Sequence, residues 1–414
     1  MATAIEVTQS PRRTALYIVS RELAKISSLL PSNPMRSIIV HSLVDALGLL
    51  APSYSPSRRL VAVTPKRTSP STLAMYHTQD YLDFILNPEN TVDADATNLT
   101  DFGLEDDCPM FKGLSEYAPL VAGATLTAVS ALVNGLSDEA ICWDGGRHHA
   151  QKSHASGFCY VADCILALLA LKRCPPLAGT PNRKPRIMYL DLDLHFSDAV
   201  SQAFYSTRPT GNIQVLTLSL HHSAPGFFPL SELSALSNPA DASYDAATLS
   251  IPLHKGASDT TYARVWKLVE KVRDTYNPDF VVVQCGLDAL AGDPCATFNW
   301  SLGTRDGSLG WCINRIHKEW SGKKLYLGGG GYHSANAARA WAYLTSIILD
   351  NPLPLDTNIP DHSGFPLYAP SFTLDVPAGN MLDENTEVYL QSVEERYEII
   401  ISSLHERLEV CSAA

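Results

Sequence analysis

A chain of 414 residues, 45% hydrophobic and 18% charged, has globular composition, which excludes a disordered, collagenous or coiled-coil chain and leaves one large domain or two. With 31 Lys and Arg against 43 Asp and Glu the net charge is -12, so nucleic-acid phosphates would repel the molecule and a basic partner or substrate suits it better. Nine cysteines lack framework spacing, and Cys142, Cys164 and Cys285 sit in apolar runs, which reads as reduced core thiols of a nuclear or cytosolic protein.

In chain order, residues 1–14 read as an N-terminal extension without the pattern of a signal peptide. Apolar runs of strand length follow at residues 15–19, 139–143, 186–190, 212–220, 279–285 and 324–327. Between them, helical spacing places Val161, Ile165, Leu168 and Leu169 on one side of residues 160–172, and Val265, Leu268, Val269 and Val272 on one side of residues 262–276. This alternation predicts a single α/β domain over residues 15–370, with a central, mostly parallel sheet flanked by helices on both faces. Segments 53–71, 174–185 and 228–247, rich in Pro, Ser or Ala, read as surface loops. No apolar run reaches the roughly 18 residues of a membrane span. Within the C-terminal segment 371–414, residues 387–408 form an amphipathic pattern expected to dock on the body. The sequons at Asn98 and Asn299 are short matches without meaning in a reduced compartment.

Polar clusters follow four of the strands: Asp144 with His148 and His149, then Asp191, Asp193 and His195, then Asp288, and last Tyr332 behind four glycines. In open parallel sheets the ligand crevice lies outside the carboxyl ends of the strands, so these segments should converge there. Asp191, Asp193 and His195 alternate with leucines, which in an extended strand puts all three on one face. Asp193, His195 and Asp288 supply two carboxylates and an imidazole for one divalent metal, with a position left for water and substrate. A binuclear hydrolase of the arginase kind would carry further carboxylates where Ser197 and Leu290 stand, so one metal is predicted. His148 and His149, after the turn-forming Gly145 and Gly146, are a candidate acid/base pair. Tyr332 is a candidate oxyanion donor. His221 and His222 have no carboxylate near them in sequence and read as structural.

Several long motifs recur together: Trp143-Asp-Gly-Gly-Arg-His-His-Ala150, Ala155-Ser-Gly-Phe-Cys-Tyr160, Asp191-Leu-Asp-Leu-His195 and Pro225-Gly-Phe-Phe228. With Asp288, Ala291-Gly-Asp-Pro294, Gly328-Gly-Gly-Gly-Tyr332 and Ile359-Pro-Asp-His362, spread over residues 15–370, they resemble the zinc-dependent histone deacetylases, class I type. The resemblance implies an arginase/deacetylase fold and hydrolysis of the amide of N6-acetyl-lysine in histone tails or other proteins, in the nucleus or cytoplasm, with a role in transcription repression. It implies Asp193, His195 and Asp288 as ligands of zinc, ferrous iron being compatible with the same set. It implies Tyr332 as the group polarising the acetyl carbonyl, His149 as general acid/base, His148 as its electrostatic partner, and Asp191 and Asp198 as the carboxylates orienting the two rings. Phe158 and Phe228 match a tunnel for the four-carbon lysine stem, with Gly157 keeping one wall thin and Cys295 a further substrate contact. Asp107 matches a rim aspartate for the substrate backbone; with Asp101, Glu105 and Asp106 it forms an acidic cluster that would attract basic tails. The backbone around Asp191, Asp193, His195, Ser219 and Leu220 matches a potassium site.

The sequence departs from the family pattern at Phe196, Arg147 and His154, which bears on pocket shape and pH optimum, and in a longer loop over residues 207–214. The glycine-rich segment expected after Pro229 is missing. Pro294 replaces an arginine that corepressor-bound members use for an inositol phosphate, which predicts activity without a corepressor subunit. Two other readings stay open on the sequence: deacetylation of small amines such as acetylpolyamines, and a catalytically silent acetyl-lysine reader, although no ligand, base or tyrosine is missing.

Overall fold

The computed structural model describes residues 13–90, 96–206 and 213–413. Eight strands form one sheet: β1 (Arg13–Ile18), β2 (Arg58–Val63), β3 (Glu139–Cys142), β4 (Ile187–Asp191), β5 (Val215–His222), β6 (Thr248–Leu253), β7 (Phe280–Gln284) and β8 (Lys323–Leu327). Their order is β2-β1-β3-β8-β7-β4-β5-β6, and every pairing is parallel. Parallel strands are covered on both faces, which is why their sequences are continuous apolar runs. Along β7, Val281 and Val283 pack on one side with Trp266 and Trp341. Val282 packs on the other side, among the residues of helices Leu114–Val133 and Asp163–Lys172.

Four expectations need correction. Arg13 and Thr14 belong to β1, and the rest of the expected extension lies outside the described residues. The first loop segment contains β2, and β6 follows directly on the last; neither strand was anticipated. These are the two edges, where the apolar signal is weakest: β2 alternates buried and exposed positions, and β6 is interrupted by Ser250 and Pro252. Helix Leu114–Val133, at mean hydropathy 1.3, is also long and apolar enough to cross a membrane, although 67% of that window is buried inside the protein, as befits a core helix.

Helix Glu387–Ala413 docks as expected, burying Leu390, Val393, Tyr397, Ile400, Leu404 and Leu408 at helical spacing. Tyr397 donates to the Ser250 carbonyl of β6, and Arg264 of helix Asp259–Tyr276 pairs with Glu394. The helix thus packs against the edge strand β6, which would otherwise be a template for foreign strands. Asn299 is buried, its amide bonded to the Gly256 and Met381 carbonyls, so that sequon cannot accept a glycan; the side chain of Asn98 lies outside the described residues. The eight cysteines whose side chains are described are free thiols, and all of these but Cys295 are buried.

Candidate active site

The four polar clusters follow β3, β8, β7 and β4, which are neighbours at the centre of the sheet. Segments far apart in sequence therefore meet at one edge. After β3 the chain turns through Gly146, at φ +94, a value an L side chain rarely adopts. The buried Asp163 carboxylate holds this turn, accepting the N–H groups of Gly146 (3.0 Å) and Arg147 (2.7 Å) and the Thr125 hydroxyl (2.5 Å). His148 and His149 follow, their ring centroids 3.9 Å apart.

Each imidazole is anchored through Nδ1 by its own carboxylate: His148 by Asp191 at 2.9 Å and His149 by Asp198 at 2.7 Å. Gln151 donates to the second Asp198 oxygen at 2.8 Å. The pairing of Nδ1 leaves His149 to act through Nε2, whereas His148 Nε2 stands 3.7 Å from Asp193 Oδ1. Burial disfavours charge on His148, but Asp191 and Asp193 outweigh it and raise its pKa to about 9. Burial and the neighbouring His148 lower His149, against the pull of Asp198. Their surroundings thus push the two rings in opposite directions.

β4 ends at Asp191, so the strand pleat does not align the following pair. Instead the Asp191 carboxylate accepts the N–H of Asp193 and the Asp193 carboxylate accepts the N–H of His195, both at 3.1 Å. Asp191 faces His148 and Tyr189, and only Asp193 and His195 turn toward Asp288. His195 Nδ1 stands 2.9 Å from Asp288 Oδ2 and 3.3 Å from Asp193 Oδ1. The outer oxygens are held by protein: Asp193 Oδ2 accepts from Gln284 (2.9 Å) and the Gly330 N–H (2.8 Å), and Asp288 Oδ1 from the Leu194 N–H (2.9 Å). One ring nitrogen carries at most one proton, yet two buried carboxylates converge on it. Burial and then Asp193 push Asp288 upward, while Asp193 itself is held well below the carboxylate range despite burial, chiefly by His148 and His195. A divalent cation among these three donors removes that conflict, so the residues fit a metal.

Tyr332 is half-buried, its N–H donating to Asp293 Oδ2 at 2.7 Å. Burial, then Asp288 and Asp193, push its phenol well above the ordinary value, so it stays an O–H donor. Phe158 packs edge-on to Tyr332 (5.3 Å between centroids), and Phe228 packs edge-on to His149 (4.9 Å). At Gly157 a Cβ would meet His149 Cδ2 at 2.4 Å, so the thin wall is required there. Asp107 Oδ2 accepts the Gly157 N–H at 2.8 Å, which ties this carboxylate to the wall, while Asp101, Glu105 and Asp106 are exposed.

Residues 30–348 match the histone deacetylase domain. The chain belongs to the histone deacetylase family. It is 36% identical to histone deacetylase 8 of Xenopus tropicalis over 381 residues, covering 91% of this chain and 95% of the relative. It is 34% identical to histone deacetylase 9 of Arabidopsis thaliana (88% and 79% covered) and 32% identical to histone deacetylase 1 of Homo sapiens (94% and 75% covered). By that membership the chain is a protein lysine deacetylase with a catalytic metal, and the small-amine and silent-reader readings are not favoured.

In this deacetylase Phe196 is buried against His221 (4.8 Å between centroids) and His154 lies half-exposed beside Ser153. Arg147 turns into a small internal cavity shared with Arg36, His41 and Asp144. His41 pairs with Asp144 at 2.8 Å, and Arg36 donates to the Gly331 carbonyl at 2.7 Å. His221 and His222 are structural as read, pairing with the Ser234 and Leu253 carbonyls. The departing loop lies, up to residue 212, outside the described residues. The sequence reading missed Asp163, Gln284 and Asp293 as parts of the site. Asp293 lay inside a quoted motif, and Gln284 was a lone polar residue closing an apolar strand.

Proposed function

We propose that the deacetylase hydrolyses N6-acetyl-lysine in basic protein segments such as histone tails, with zinc held by Asp193, His195 and Asp288. When bound, the metal supplies Lewis acidity to the acetyl carbonyl and to a water. Phe158 and Phe228 bury the aliphatic stem, which asks for no polar partner. His149, lowered by burial and backed by Asp198, takes a proton from water at Nε2 and returns it to the leaving amine. His148, raised to about 9, stays charged beside it and favours the developing anion. Tyr332 donates its phenolic proton in a hydrogen bond to the oxyanion.

The observation that carries this reading is the pair of carboxylate-anchored imidazoles beside the two-oxygen, one-nitrogen donor set, with the His149 and His195 rings 5.9 Å apart. Potassium fits the backbone around Asp191, Asp193, His195, Ser219 and Leu220, since Asp191, the last residue of β4, is the register partner of Ser219 within β5. The reduced, buried thiols suit the nucleus or cytoplasm. The net charge of -12 favours basic partners over nucleic acid, and exposed Pro294 suits action without a corepressor subunit. The test is metal analysis of the purified chain with turnover on an acetyl-lysine peptide array and on acetylpolyamines. Peptide turnover that chelation abolishes is expected; turnover of small amines alone, or full activity after complete chelation, overturns the reading.

A further inference from the structure

Among the eight cysteines whose side chains are described, Cys295 is half-buried and the others are buried. Its Sγ, a ring nitrogen of His195 and a carboxylate oxygen of Asp288 lie within 4.8 Å of one another. Asp193 joins the same group through His195 Nδ1 at 3.3 Å. The family set thus accounts for three donors, and the geometry brings a fourth side chain, of different chemistry, to the same place. Its backbone is fixed: the Cys295 N–H donates to Asp293 Oδ1 at 3.0 Å, and the other oxygen of that carboxylate holds the Tyr332 N–H. One carboxylate therefore holds the backbones of Cys295 and Tyr332 together.

A tetrahedral site with three protein ligands keeps one position for water or substrate. Donors sharing a zinc ion at ordinary bond lengths stand roughly 3.5 Å apart, and the Sγ, His195 and Asp288 atoms already lie within 4.8 Å of one another. We propose that Cys295 is a sulfur donor to the metal held by Asp193, His195 and Asp288, closing the resting site with the protein's own thiol until substrate displaces it. On ligation the thiol loses its proton to solvent and a water leaves; when water or the acetyl carbonyl returns, the sulfur leaves and takes a proton back, with no change of oxidation state. Sulfur in the shell biases the site toward zinc over harder divalent ions.

The inference rests on the ligand set proposed above, and X-ray absorption at the zinc edge of the full chain, combined with zinc counting, separates the two. Wild type loaded with one zinc and without substrate is expected to show one sulfur neighbour at about 2.3 Å. That neighbour is lost in Cys295→Ala, or in Cys295→Ser should the alanine variant fail to fold, and lost from wild type when a hydroxamate is added. One zinc with only nitrogen and oxygen neighbours overturns this proposal and leaves the ligand set standing. A sulfur signal that survives both substitutions overturns it too, because another thiol would then be the donor. A wild type that binds no zinc overturns the ligand set and this proposal together.

Discussion

Asp293 Oδ2 accepts the Tyr332 N–H at 2.7 Å, so a carboxylate from the loop after β7 fixes the phenol carried by the loop after β8. Tyr332→Phe keeps the ring and its contact with Phe158 but removes the donor. Turnover should fall about 100- to 1,000-fold, roughly 3–4 kcal/mol, while peptide affinity changes far less. Asp293→Ala should lower kcat more than it raises KM, since the phenol is misplaced rather than removed. Turnover and peptide dissociation measured on both variants decide this; intact turnover in Tyr332→Phe would require another oxyanion donor.

Asp288→Ala removes one carboxylate from the donor set and the acceptor of the Leu194 N–H. Metal and activity should be lost together, measured as metal per chain beside peptide turnover. Two metals per wild-type chain would contradict the mononuclear site.

Pro294 is exposed next to Asp293 and offers no cation for an inositol phosphate. The isolated chain should hydrolyse acetylated peptides without a corepressor subunit. An inert chain rescued only by a partner would count against this.

The buried Glu139 meets His317 at 3.0 Å and also Arg58, and Asp350 meets the other nitrogen of the same ring at 2.8 Å. Burial opposes ionisation of both, but Lys318 and His317 lower Asp350 to about 2, and His317 and Arg58 lower Glu139. A carboxylate depressed in the fold contributes stability above its unfolded-chain value, about 4, and loses it as pH falls through the folded value. Wild-type Tm should therefore drop between about pH 4 and pH 2 more steeply than that of Asp350→Asn, where asparagine suits the left-handed φ of 61. Equal slopes in the two proteins would show that Asp350 does not contribute.

Tyr397 is wholly buried under the C-terminal helix and donates to the Ser250 carbonyl at 3.0 Å. Tyr397→Ala should cost about 3–5 kcal/mol, as for other large aromatic truncations, read as a lowered denaturation midpoint. A shift within error would mean that Tyr397 does not contribute to holding the helix.

The sequence by itself determined the class of fold, because buried parallel strands must be apolar on both faces and such runs stand out in β3, β4, β5, β7 and β8. It also determined which residue types gather at the strand ends, since Asp193, His195, Asp288, His148, His149 and Tyr332 stand in long ordered motifs. Edge strands β2 and β6 were not legible, because an edge tolerates charge and proline and dilutes the periodic signal. The period-two argument brought Asp193 and His195 together for the wrong reason: the strand stops at Asp191, and carboxylate-to-backbone bonds shape the turn from Leu192 to His195. Only the tertiary structure paired Asp163 with the histidine turn, Asp293 with Tyr332 and Cys295 with His195 and Asp288. Those relationships join segments that lie far apart in the chain, and their distances are set by the packing of the sheet rather than by any local pattern of residues.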